Sequence, residues 1–194
     1  VRHQLDGNDI WVRPDPIVQS GQLSVTPPSM NDPRADTDRL LDDMNELNLQ
    51  SRSVDFALMK CLPDILRDNK WCVQTVRRLG EVIAVLPTNT PLLGLAVDVG
   101  TTNIAALLVD MSQGTTLASD GIENPQQIYG SDVISRVAEA SDAPHKALEM
   151  QRLTIEALNT LVARLCEQSG HKSEQIIDVV VAGNTVMHRL VLGL

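Results

Sequence analysis

The rhythm of apolar and polar positions changes twice along this chain, and the changes divide it. Up to about residue 33, two short β-type runs, Ile10-Trp11-Val12 and Leu23-Ser24-Val25, are separated by Pro14, Pro16 and Gly21. Pro27, Pro28 and Pro33 follow, so no helix is expected there. From Leu40 the spacing turns helical: Leu40, Leu41, Met44 and Leu47 share one stripe, with Asp32 or Asp36 as the expected cap. A second helical stretch is expected over residues 54–68, with Leu58, Met59, Leu62, Ile65 and Leu66 on one side and Pro63 kinking it or starting a new helix. Residues 71–76 and 82–86 read as strands joined near Gly80. This gives a linker over residues 1–20 and a small α+β module over 21–90, ended by the polar break from Pro87 to Pro91.

Beyond the break the pattern becomes one of continuous apolar runs. Residues 92–97 read as a strand covered on both faces, 104–109 and 115–122 as two more, with Ser112-Gln113-Gly114 as a turn. Two helices follow, over about 131–140 and 146–168, the longer placing Met150, Leu153, Ala157, Leu158, Leu161, Val162 and Leu165 along one stripe. Residues 176–182 read as a fourth buried strand, and Gly183-Asn184-Thr185 leads into a last helix. The predicted order is β-β-β-α-α-β-α.

Composition changes this picture only a little. The net charge of −9, from 25 acidic and 16 basic residues, argues against a nucleic-acid or anionic-membrane surface, which wants clustered Lys and Arg. No apolar run reaches the length of a membrane span and no secretory signal opens the chain, so a cytoplasmic protein is expected. Because the sequence starts at Val1, a piece of a longer protein is expected. Cys61, Cys72 and Cys166 are widely spaced and odd in number, so they read as buried or partly buried free thiols.

The candidate chemistry sits at three places. Asp98-Val99-Gly100-Thr101-Thr102-Asn103 joins two apolar strands. A phosphate needs backbone N–H and hydroxyl donors in a tight turn; Gly100 permits such a turn, and Thr101, Thr102 and Asn103 supply donors. Asp98, closing a buried strand, is placed to hold magnesium through water. The plain alternative is a β-hairpin with ordinary Asp-x-Gly turn chemistry. Walker-type and dinucleotide-type loops are absent. The second place runs from Asn124 to Arg136, where Ser131 is the expected helix cap; on composition alone a capped loop explains it better than a ligand contact does. The third, Gly183-Asn184-Thr185, opens a helix and suits either an anion or a simple Asn cap.

Taken together, Gly94 to Thr102, Asn124 to Arg136 and Val181 to Met187 resemble successive blocks of the reductive activators of corrinoid proteins. Residues 21–90, with Pro27-Pro28-Ser29 and Asp32-Pro33-Arg34, resemble what is expected to be that family's middle domain. The resemblance implies that residues 91–194 are the first subdomain of an actin/sugar-kinase/Hsp70-like (ribonuclease H-like) α/β ATPase. It also implies ATP and magnesium as cofactors, with Asp98 toward the metal, Gly100 to Asn103 toward phosphate, and Asn124, Asp132, Asn184 and Thr185 lining the cleft. No catalytic residue is singled out. The family couples ATP to reduction of cobalt(II) to cobalt(I) in a corrinoid partner of a methyltransferase system, using a [2Fe-2S] domain that nothing in this chain matches. Alone, the chain is expected to be inactive as an ATPase. Two other readings stay open: a sugar or carboxylate kinase of the same fold, and a docking or homodimerising module.

Overall fold

The computed structural model describes residues 14–193, so the Ile10–Val12 run lies outside them. Contacts cluster into two units, one formed by Asp15–Pro91 and the other by the described residues from Leu92 onward.

In the first unit, β1 (Val18–Ser24) pairs antiparallel with β3 (Cys72–Arg78), which pairs with β4 (Glu81–Pro87); the two-residue β2 (Ser53–Val54) adds to the far edge, parallel to β4. β1 thus begins inside the stretch expected to be linker. Helices α1 (Asp36–Glu46) and α2 (Phe56–Asp68) bring Leu40, Met44, Leu58, Leu62 and Leu66 into a core with Leu23, Val73, Val82 and Val85. α2 starts two residues later than its apolar spacing suggests because Asp55 caps it, accepting from the N–H groups of Ala57 and Leu58 at 2.8 and 3.1 Å. Pro63 neither starts nor ends a helix: α2 runs through it. Neither Asp32 nor Asp36 caps α1, whose cap position is Ala35 without a side-chain bond. Asp32 is instead taken by Arg34 and Arg39. Cys61 and Cys72 are exposed, contrary to expectation, and Cys166 is buried.

In the second unit, β5 (Leu93–Val99), β6 (Asn103–Asp110) and β7 (Thr115–Glu123) form an antiparallel meander, and β8 (Ile176–Gly183) lies parallel to β5 on its other side. Between β7 and β8 run a 3-10 turn (Pro125–Tyr129), α3 (Val133–Asp142) and the long α4 (Pro144–Ser169), and α5 (Thr185–Leu192) follows β8. α4 starts with Pro144 in its first turn, where a missing N–H costs nothing. It lays Met150, Ala157, Leu161 and Leu165 on Leu93, Leu95, Val97 and Val99 of β5 and Ile104, Ala106 and Leu108 of β6, and α5 adds Met187 and Leu190.

Among the described residues, these strands are covered on one face rather than two. Along β5 the buried residues alternate with exposed Ala96 and Asp98, and opposite Ala96 stand Leu107 of β6 and Val180 of β8. Val180 is 63% exposed. β8, expected to be buried, is an edge strand among the described residues, with Val179 also exposed, and α4 packs toward the β7 and β6 end of the sheet. No described helix is long and apolar enough to cross a membrane.

Candidate functional site

The loop from Gly100 to Thr102 connects β5 to β6 at the end of the sheet where β8 runs into α5. Register fixes this neighbourhood: Asp98 pairs with Ala182 and Val99 with Gly183 across the parallel ladder. Asp98 is therefore beside the Gly183–Thr185 bend, with its side chain exposed on the open face of the sheet. Asn103 lies on that same face, two residues before Ala105, the antiparallel partner of Asp98. Gly100 is obligatory, since a Cβ there would stand 2.7 Å from the carbonyl oxygen of Asn103.

Three consecutive carbonyls of the loop are tied down from below. Asn124 Nδ2 donates to Gly100 O at 2.8 Å, Arg136 Nη2 to Thr101 O at 2.6 Å, and Gln127 Nε2 to Thr102 O at 2.9 Å. The Asn124 N–H also donates to Thr102 O at 2.8 Å. In a trans peptide the N–H points opposite to the C=O. Anchoring these oxygens inward therefore turns the N–H groups of Thr101, Thr102 and Asn103 the other way, the arrangement that binds an anion.

The anchors stand on a buried polar network. Gln126 donates through Nε2 to Thr154 Oγ1 at 2.7 Å and to Met150 O at 3.1 Å on α4, and its N–H donates to Asn124 Oδ1 at 2.9 Å. Arg136 donates Nε to Gly130 O at 3.0 Å and Nη1 to Gln126 Oε1 at 3.4 Å. Gly130 cannot be another residue here: its φ is +140°, and a Cβ would meet the Ser135 Cβ at 2.4 Å. Burial pulls the Arg136 guanidinium below its usual pKa, partly opposed by the Asp132 carboxylate.

Asn184 closes the other side. Its Oδ1 accepts from the N–H groups of Val186 and Met187, both at 3.0 Å, and its Nδ2 reaches Thr101 Oγ1 at 3.4 Å. It is thus a helix cap that also touches the loop. Those N–H groups of α5 are occupied, leaving the loop itself as the anion-facing surface.

As a magnesium site, Asp98 offers one exposed carboxylate, and the Asn103 Oδ1 is a buried acceptor without a hydrogen-bond partner among the described residues. One carboxylate plus neutral oxygens suits a cation that keeps most of its water, and the outward N–H groups suit a nucleotide phosphate. A cluster held by four thiolates does not fit: this chain has three cysteines. No group of three His, Cys, Asp or Glu able to hold a metal occurs among the described residues.

The family model for the RACo middle region matches residues 93–194, and that for the RACo linker region matches residues 8–91. The chain belongs to the RACo family. In RACo terms the α+β unit is the linker region, and the name of middle region goes to the unit carrying the loop, not to residues 21–90. The chain is 30% identical over 117 residues to the corrinoid activation enzyme RamQ of Eubacterium limosum, a match covering 59% of this chain and 20% of that enzyme. It is also 30% identical to a solved reductive activator for corrinoid, iron-sulfur protein, with a TM-score of 0.72 over 96% of this chain and 30% of that one. The chain therefore spans under a third of the length of these RACo relatives.

Among the residues singled out from sequence, the RACo fold brings Gly100, Thr101, Thr102, Asn124 and Asn184 together, with Asp98 and Asn103 beside them. Asn124 is only 1% exposed; it lies under the loop and holds it, instead of lining a cleft. Asp132 caps α3 in the place expected of Ser131, accepting from Ser135 N and Oγ, each at 2.9 Å, and these bonds hold its carboxyl below the usual range. Thr185 opens α5. From sequence, Gln126, Gln127 and Arg136 stand only as members of the Asn124–Arg136 block, with no role for any of them, and Thr154 is passed over. One signal was available: Thr154 interrupts the apolar stripe of α4 between Met150 and Ala157, and a polar residue there asks for a buried partner.

Proposed function

We propose that this chain is the phosphate-binding part of an ATP-dependent reductive activator of corrinoid proteins. Its second unit serves as the first subdomain of an actin/sugar-kinase/Hsp70-like ATPase. The observation that carries this reading is the loop whose three carbonyls are anchored inward, which turns its N–H groups the other way. Phosphoryl chemistry rests on positioning and charge neutralisation, and this geometry offers both.

In this reading Asp98 holds magnesium through its water, Asn103 Oδ1 accepts from that hydrated ion, and the Thr101 and Thr102 N–H groups and hydroxyls bind the phosphates. Mg·ATP supplies the free energy that makes an unfavourable electron transfer to cobalt(II) proceed. The partner is a corrinoid protein, in keeping with the names of the relatives, and in this reading it belongs to a methyltransferase system; the residues described here bind and orient nucleotide and carry no electron. Family membership favours this over a small-molecule kinase of the same fold.

The test is an assay of the full-length protein with a cobalt(II) corrinoid protein, a reductant and Mg·ATP, following cobalt(I) by its absorbance. ATP-dependent reduction lost in Asp98→Ala is the expected result. Reduction that proceeds equally without ATP, or unchanged in Asp98→Ala, would sink the proposal.

A further inference from the structure

Arg136 is fully buried and forms no ion pair among the described residues. Its partners are the neutral acceptors Gly130 O, Gln126 Oε1, Thr101 O and, at 3.7 Å, Met187 Sδ. The nearest carboxylate, Asp132 at the cap of α3, acts on it through the field but makes no hydrogen bond or ion pair with it, and a buried charge so weakly countered is expensive. Dipoles of peptides and amides solvate it here, and the shortest of these bonds is to the loop itself.

We infer that Arg136 is a positioning residue whose counter-charge is the phosphate bound on the far side of the Thr101–Thr102 peptide. This rests on the phosphate-loop reading and goes beyond it. The guanidinium draws Thr101 O inward, so the Thr102 N–H on the same peptide points outward and is polarised as a donor. Its positive charge also lies directly behind the anion site, in surroundings where the field is weakly screened. Asn124 and Gln127 orient the flanking peptides without adding charge. Arg136 thus does two things at once: it sets the loop's shape and gives the loop its sign.

Met187 makes the two separable. Its Sδ accepts weakly from Arg136 Nη1 at 3.7 Å and from Asn124 Nδ2 at 3.8 Å. Met187→Gln and Met187→Glu both put an oxygen beside these two donors at nearly the same volume, but only the glutamate neutralises Arg136. The experiment titrates the chain and each variant with inorganic triphosphate and magnesium. It follows the amide resonances of Thr101 and Thr102, and records thermal melting without ligand.

Wild type and Met187→Gln are expected to show saturable shifts at the loop amides. Met187→Glu is expected to lose about tenfold or more in affinity, while melting no lower than Met187→Gln. Arg136→Gln should also lose affinity and Arg136→Lys keep part of it; should either fail to fold, the Met187 pair still decides. Equal affinity in Met187→Glu and Met187→Gln would overturn the role of Arg136 while leaving the phosphate loop standing. No shift at the loop amides in wild type would overturn the loop reading, and this inference with it.

Discussion

Arg39 in the first unit and Arg136 in the second are both fully buried, and they are kept by opposite means. Arg39 meets a carboxylate: its Nη1 lies 2.6 Å from Asp32 Oδ2, and it also donates to Asp32 O and, more weakly, to Thr26 O. Its job ends there, fastening the Pro27–Pro33 segment to α1, and Asp43 assists by accepting from Thr26 N at 2.6 Å. Arg136 hydrogen-bonds only to neutral dipoles, with the Asp132 carboxylate acting on it at a distance, and one of those dipoles belongs to a loop that faces solvent. A closed pair is a structural clamp. On the inference drawn above, a buried cation left open on one side is completed by an anion.

The largest effect that tests this contrast is loss of the clamp. Arg39→Ala empties the space of a large side chain and strands the carbonyls it served, a loss of about 3 kcal/mol of unfolding free energy. Hydrogen exchange resolved by residue should show that loss in Asp15–Pro91. A change within a few tenths of a kcal/mol would show that the pair does not hold the segment.

Next comes the response to ligand. If Arg136 is completed by phosphate and Arg39 by Asp32, magnesium triphosphate stabilises only the unit that carries the loop. Binding to the folded state alone contributes about 2.7 kcal/mol at a hundredfold excess over Kd. Exchange protection should rise through β5, β6 and α4 and stay unchanged in β1, β3 and β4. Equal protection of both units, or of neither, would break the contrast.

What the sequence showed and concealed follows the same line. The runs of Leu93–Val99 and Asn103–Asp110 and the stripe of α4 were legible because periodicity is local, as was the Asp98–Thr102 turn, bounded by strands on both sides. The anchors were not. Arg136 meets Thr101 across 35 residues, Gln126 meets Thr154 across 28 and Asn124 meets Gly100 across 24, and no spacing rule links such pairs. The open face of the sheet was hidden for another reason. Val180 and Leu107 look like core from their chemistry alone, and only the placement of α4 on one side shows that they are uncovered.

A smaller effect comes with acid. Arg34 first, then Arg39, hold the Asp32 carboxyl well below its usual pKa, with burial opposing them. A depressed folded value contributes stability that is fully present above the unfolded pKa of about 3.9 and is lost as pH falls toward the folded one. Chemical denaturation of wild type and Asp32→Asn from neutral pH down to about 2 should therefore converge, with the wild-type advantage in Asp15–Pro91 shrinking below about pH 4. A difference that is flat with pH would mean that the charge of Asp32 contributes nothing to the clamp.

The finest test asks which arginine makes Asp32 acidic. Arg34 grips both carboxylate oxygens, with Nε and Nη2 each 2.9 Å away, but it is 41% exposed and its attraction is screened by water. Arg39 makes a single contact to that carboxylate from a site without solvent. Removing Arg34 should therefore raise the Asp32 pKa part of the way, since the buried partner remains, and should change stability little. A carbon-detected NMR titration of the Asp32 carboxyl in Arg34→Ala reads this directly. A pKa that returns to the ordinary carboxylate value would mean that Arg39, too, is held by carbonyls alone. The two buried arginines would then be alike in their partners, and only the loop in front of Arg136 would set it apart.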